Sequence, residues 1–260
     1  MTDTPGIWTK VRALAFNGAF FVWSAALVLY YAPSLFMPRH ILVGGQRRWT
    51  NHVNALLRAI VGIRIEIRGR GRLPAGPFIA AAKHQSAWDT LIWHTELDDP
   101  AIVLKKELLS IPIYGQMCRK SRMIAVDRAG GPSALKAMVA DARAEIAAGR
   151  PIVIFPQGTR TAPGAPVEAA PYQPGVAALY RALDIPVVPV SLNSGLFWAR
   201  RSFLKRPGTI VLEYQEPIPP GLDRRGFMAM LTERIEDGTA RLEAEAQAAT
   251  AVTQTREETA

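Results

Sequence analysis

The sequence predicts an α/β fold: a single mixed or largely parallel sheet flanked by helices, preceded by an N-terminal membrane-associated helical segment. Three observations predict it. Apolar runs of strand length recur along the chain, segments with helical spacing stand between them, and a long uncharged stretch opens it. Strands alternating with helices are the pattern of a sheet covered on both faces. With 260 residues the chain can bury a substantial core, and a 49% hydrophobic composition excludes a mostly disordered protein.

The uncharged stretch comes first. No residue between Arg12 and Arg39 carries a charge, and ALAFNGAFFVWSAALVLYYA, Ala13–Ala32, precedes Pro33. As a helix it would span about 30 Å, roughly one hydrocarbon thickness. Trp8, Trp23, Tyr30 and Tyr31 are candidate interfacial anchors. A cleaved signal peptide has the basic start it needs but no small-x-small site after the apolar run. A core helix apolar on all sides is a second reading. Membrane association, spanning or lying in one leaflet, fits best. Lys10 and Arg12 before the segment nearly balance Arg39, Arg47 and Arg48 after it, as for an anchor with both ends on one side. The expected layout is residues 1–48 as the membrane-associated segment, 49–245 as the α/β domain and 246–260 as a frayed polar tail.

A basic connector, Arg39–Trp49, leads to a helix expected over Thr50–Val61. IRIEIRG, Ile63–Gly69, alternates apolar and charged residues, the period of a half-exposed strand. Further strands are expected at Phe78–Ala82, Ala101–Leu104, Met123–Val126, Ile152–Phe155, Val187–Leu192 and Thr209–Tyr214. Helices are expected at Ala87–Glu96, Pro132–Ala148, Gly175–Leu183 and Leu222–Ala244. Gly149 and Pro151 stop the second of these. The two prolines of IPVVPVSL point to an edge strand or a strand end.

Thirty-one Lys and Arg against 22 Asp and Glu give a formal charge of +9, so anionic partners are expected. Nucleic acid is not among them, because no recognised binding motif or interleaved aromatic pattern occurs. Cys118, the single cysteine, allows neither an intrachain disulfide nor a thiolate zinc site. His40, His52, His84 and His94 show no metal-ligand spacing, so no metal is expected. A serine hydrolase would need G-x-S-x-G, which is lacking.

The chemistry concentrates in KHQSAWDT, Lys83–Thr90. Ser86 and Asp89 have capping-box spacing, which is reason enough for the aspartate. The same geometry serves catalysis. A histidine at the carboxyl end of a strand stands where α/β sheets place ligands, and an aspartate in the next turn can orient its imidazole as a general base. PIVIFPQGTR runs a strand into a loop with Gly158 and Arg160, and RMIAVDR ends a strand at Asp127 and Arg128. Two arginines at strand ends make a phosphate cradle, though either alone reads equally as a surface charge.

In order and spacing these blocks resemble the glycerolipid acyltransferase family, closest to bacterial 1-acyl-sn-glycerol-3-phosphate acyltransferases, over about Trp49–Pro219. His84 and Asp89 match H-x-x-x-x-D, Asp127 and Arg128 match the end of a G-x-x-F-I-D-R block, FPQGTR matches F-P-E-G-T-R, and Val187–Val190 matches an apolar V-P-V strand. VLKKELLSIPIYGQM is similar to the family's lysine-rich stretch. The resemblance implies acyl transfer from acyl-CoA or acyl carrier protein to the sn-2 hydroxyl of lysophosphatidic acid, without a cofactor, by a protein of the inner membrane facing the cytoplasm. Within it His84 is the base and Asp89 its orienting partner. Arg128, Arg160 and Lys105 hold the phosphate, and Gln157, Gly158 and Thr159 shape the acceptor loop. Arg122 for glycine, Ala125 for phenylalanine and Gln157 for glutamate depart from the pattern and leave lyso-ornithine lipid or glycerol-3-phosphate as alternative acceptors. The basic-aromatic stretch Leu196–Gly208 is a candidate surface for lipid headgroups, a carrier protein or CoA phosphates, or a solvated loop.

Overall fold

Seven strands form one sheet in the order β1-β7-β6-β2-β5-β3-β4, parallel throughout except where β6 meets β7. The computed structural model describes residues 6–127 and 130–258, with 252–258 described by backbone alone. In chain order the elements are α1 (Ile7–Tyr31), α2 (Arg39–Leu56), β1 (Ile63–Arg68), β2 (Ile79–Ala82), α3 (Trp93–Glu96), β3 (Ala101–Lys105), α4 (Tyr114–Lys120), β4 (Ile124–Val126), α5 (Gly131–Ala147), β5 (Ile152–Ile154), α6 (Pro174–Leu183), β6 (Val187–Leu192), β7 (Gly208–Tyr214) and α7 (Arg224–Glu258). All seven expected strands are present within a residue or two of their expected ends, because each is an apolar run too short for a helix and closed by polar or turn residues.

Strand alternation divides the core. Ile79 and Ala81 of β2 pack with Met138, Val176 and Leu231 of α5, α6 and α7; Ala80 and Ala82 pack on the other face with Phe16, Val53 and Leu57 from the N-terminal helices. That parity continues past the strand and orients the residues that follow.

The N-terminal helices form an antiparallel hairpin. Trp49 Nε1 donates to Ser24 Oγ at 3.0 Å, Trp23 Nε1 to His52 Nδ1 at 3.2 Å, and Arg48 to the Tyr31 hydroxyl at 3.1 Å. The expected basic connector is therefore the first half of α2. A Cβ at Gly45 would lie 2.8 Å from the Tyr31 ring, so that glycine permits close packing of the two helices. Residues Ile7–Phe36 are long and apolar enough to cross a membrane, yet only 11% of the most apolar window is buried. Trp8, Phe21, Val22, Tyr30 and Phe36 stand exposed, whereas a core helix would hide them.

Three further elements depart from expectation. Ala87–Glu96 is a 3-10 turn, Trp88–Thr90, followed by the single turn α3, because Trp88, Asp89, Ile92 and Trp93 are all buried and no helical face is left for solvent. Strand β6 lies inside the sheet rather than at its edge. Its pairing with β7 begins only at Val190, so the missing N–H of Pro189 falls at the end of that ladder, while the Pro189 carbonyl still accepts from Gln215 N at 2.9 Å. Helix α7 continues past Ala244 to Glu258, through an Ala-, Glu- and Gln-rich sequence of high helix propensity.

Candidate active site

The five parallel strands β4, β3, β5, β2 and β6 all present their carboxyl ends to one edge of the sheet. His84 follows β2, Ser194 follows β6, Gly158 to Arg160 follow β5, and Lys105 ends β3. Ligands of open α/β sheets bind at such an edge.

At its centre His84 Nδ1 lies 3.0 Å from Asp89 Oδ2. The same oxygen accepts from Gln85 N at 2.7 Å and Ser86 N at 2.8 Å, and Ser194 Oγ donates to Oδ1 at 2.6 Å. Four donors converge on one carboxylate, three on Oδ2 and one on Oδ1, and Asp89 is completely buried. Facing a carboxylate that only accepts, Nδ1 carries the imidazole proton and Nε2 is left with a lone pair. The ring stacks on Phe155, centroids 4.3 Å apart, and the His84 carbonyl accepts from Thr161 N at 2.8 Å. Ser86 Oγ in turn accepts from Trp88 N at 3.1 Å. Asp89 therefore orients the ring and holds the Gln85 and Ser86 amides, while the expected helix cap is not formed: the short turn has Ala87 at its N-cap and no side-chain cap.

The next loop bends at Gly158, whose φ of +65° falls where a side chain is strained. Arg160 is half-buried beyond it, and no hydrogen bond joins its guanidinium to another described residue. Burial lowers its pKa; the charge of Asp89 opposes that shift and Arg200 adds to it. Arg200 also donates to the Arg160 carbonyl at 3.0 Å. Gln157 is buried; its Nε2 donates to Ala170 O at 3.1 Å while its Oε1 has no partner among the described residues. Lys105 is exposed two strands from His84, about 10 Å by interstrand spacing. Arg128 lies outside the described residues.

A buried histidine held by a buried aspartate at the sheet's carboxyl edge, beside an unpartnered arginine, matches a known pattern: the family described as Acyltransferase matches residues 64–193, half of the chain. The 1-acyl-sn-glycerol-3-phosphate acyltransferase of Pseudomonas aeruginosa is 32% identical over 241 residues, 91% of this chain and 90% of that protein. The chain belongs to the acyltransferase family. The human 1-acyl-sn-glycerol-3-phosphate acyltransferase alpha is 26% identical over 63% of this chain and 58% of that protein. The crystal structure of the 1-acyl-sn-glycerophosphate acyltransferase PlsC from Thermotoga maritima superposes with a TM-score of 0.67 over 91% of this chain and 95% of that one, at 19% identity, and shares the fold.

Within this acyltransferase, sequence reasoning missed Ser194, Thr161 and Phe155. Ser194 stands 105 positions from Asp89 and meets it only because β6 pairs with β2; nothing local marks it. The Arg122 departure has a backbone explanation. Its φ is +57°, a conformation glycine adopts freely, and Arg122 holds it with an ion pair from Nε to Glu145 at 2.9 Å. It precedes β4, at the edge of the sheet opposite the site.

Proposed function

We propose that this acyltransferase moves an acyl chain from a thioester, acyl-CoA or acyl carrier protein, to the sn-2 hydroxyl of 1-acyl-sn-glycerol-3-phosphate, making phosphatidic acid at the cytoplasmic face of the inner membrane. The observation that carries the reading is the His84–Asp89 pair with its free Nε2, in a chain whose relatives are named for this acceptor.

Nε2 removes the proton of the acceptor hydroxyl as its oxygen attacks the thioester carbonyl carbon. Asp89 holds the ring and stabilises the imidazolium that results. The tetrahedral intermediate collapses by breaking the C–S bond, and the imidazolium returns its proton to the leaving thiolate. Ester and free thiol are the products. A thioester is already activated, so the chain's own groups suffice.

Arg160 holds the acceptor phosphate through a bidentate contact, helped by Lys105 and Arg128. Gly158 and Thr159 shape the loop around it. The lone Oε1 of Gln157 is an acceptor for a glycerol hydroxyl. The exposed apolar face of α1 lies in the bilayer, where the lysolipid partitions. In the stretch Leu196–Gly208 Lys205 is buried, and the exposed Arg200, Arg201 and Arg206 meet anionic headgroups or an acidic carrier protein.

The test is a panel of lysophosphatidic acid, glycerol-3-phosphate and lyso-ornithine lipid, each with acyl-CoA and with acyl carrier protein. Lysophosphatidic acid is the expected acceptor. Activity confined to lyso-ornithine lipid would remove the phosphate role of Arg160, and activity confined to glycerol-3-phosphate would place the chain one acylation earlier.

A further inference from the structure

Lys83 and Gln85 flank His84, and strand alternation turns them toward α7. Both are buried and both end on carboxylates of that helix. Lys83 Nζ lies 2.7 and 2.6 Å from the two oxygens of Glu236. Gln85 Nε2 donates to Glu243 Oε1 at 2.6 Å, while Gln85 Oε1 accepts from Gly195 N at 3.1 Å. Seven positions separate the two glutamates, about two helical turns, so they share one face of α7.

Each glutamate also takes a donor from the loop that follows Arg160. Gly164 N donates to Glu243 Oε2 at 2.9 Å, and the Tyr172 hydroxyl donates to Glu236 Oε1 at 2.8 Å. Burial, then the charge of Glu236, raises the Tyr172 pKa and keeps that hydroxyl a donor. Between these two anchors lies Ala170, whose carbonyl receives Gln157. One helix face thus grips the chain on both sides of the histidine and, at two points, the segment that follows the acceptor-side groups.

We propose that Glu236 and Glu243 are positioning residues for acyl transfer, which through Lys83, Gln85, Gly164 and Tyr172 fix His84 relative to the loop of Arg160 and Gln157. This rests on the reading of His84 as the base. A carboxylate is required at position 243 by hydrogen-bond polarity. Two donors, Gln85 Nε2 and Gly164 N, converge on it, and a glutamine there would oppose one of them with its own N–H₂. Exchanging the two groups restores every bond. In Gln85→Glu/Glu243→Gln the new glutamate accepts from Gly195 N and from the new glutamine, whose carbonyl accepts from Gly164 N.

The experiment uses the full chain in mixed micelles with acyl-CoA and lysophosphatidic acid. Glu243→Gln is expected to lower kcat by roughly 10²-fold, the scale of an ångström-sized misplacement, with the thioester KM changed by less than about threefold. The exchange variant is expected to recover kcat to within about tenfold of the parent. A folded Glu243→Gln protein with parental kcat and KM overturns the proposal, as does an exchange variant that folds without recovering activity. If Glu243→Gln does not fold, the exchange variant is read alone by the same criteria. Glu236→Gln, which removes the charge facing Lys83, is expected to lower kcat in the same direction. His84→Ala separates the two readings. Activity retained in that variant removes the base; activity lost there but indifferent to position 243 removes only the positioning role.

Discussion

The two halves of the site are built differently. On the base side the polar atoms around the ring are held, and only Nε2 is left open: Asp89 takes four donors, and the His84 carbonyl is held by Thr161. On the acceptor side the Arg160 guanidinium and Gln157 Oε1 have no partner among the described residues. A proton-transfer group gains from being rigid before substrate arrives, since reorganisation at the moment of reaction is avoided. A binding group keeps its hydrogen bonds for the ligand, because a guanidinium already saturated by protein has little left for a phosphate. Under the proposed mechanism, the first half supplies rate and the second affinity.

The sharpest break in that contrast comes from the base. His84→Ala should reduce kcat by roughly 10² to 10⁴ with little loss of stability, since a general base contributes about that much. Asp89→Ala should lose a comparable factor and also destabilise the fold. It strands two backbone N–H groups and the Ser194 hydroxyl, each costing about 1–3 kcal/mol when left buried and unpaired. Steady-state kinetics beside a thermal melt separates the two: the histidine variant falls in rate alone, the aspartate variant in both. A His84→Ala protein turning over at near-parental rate would end the assignment.

On the acceptor side the loss should appear in KM. Arg160→Ala is expected to raise the lysophosphatidic acid KM about 10- to 100-fold, with a smaller effect on the thioester. Arg160→Lys should recover only part of this, because an ammonium cannot make the bidentate contact. Equal damage to both substrates would mean that the arginine is structural or binds CoA phosphates, and the two halves would not be as distinct as their geometry indicates.

How legible each half was follows from the range of its contacts. His84 and Asp89 are five positions apart and FPQGTR is contiguous, so each was visible as a local motif, and the ordered resemblance of the blocks raised them to site candidates. The strands were legible because apolar runs of fixed length report burial directly. Ser194 and the glutamates of α7 were not, since they reach the site from 105 and about 150 positions away, the serine through the pairing of β6 with β2 and the glutamates through the packing of α7. The start of α2 was read as a connector for a related reason: only the Tyr31 ring packed against Gly45 shows why a helix there needs a residue without a side chain.

The smallest expected effect lies outside both halves and serves as their control. Arg122 departs from the family's usual glycine, and the left-handed backbone there costs a side-chain-bearing residue about 1–2 kcal/mol. Arg122→Gly relieves that strain but forfeits the ion pair to Glu145. The Arg122 side chain is 47% exposed, so that bond is worth about 0–1 kcal/mol. Glycine also raises the entropy of the unfolded chain, which removes about 0.4–1 kcal/mol. Glu145 keeps its second partner, the buried Arg150, whose bond to the Arg122 carbonyl needs no side chain at position 122. The contributions nearly cancel, so stability should change by less than about 1 kcal/mol in either direction. Because position 122 precedes β4, at the edge away from His84, kcat and both KM values should stay at parental levels. A shift in acceptor preference would show that the amino edge of β4 communicates with the site; a stability loss above about 2 kcal/mol would show that the Arg122–Glu145 pair outweighs the strain it holds.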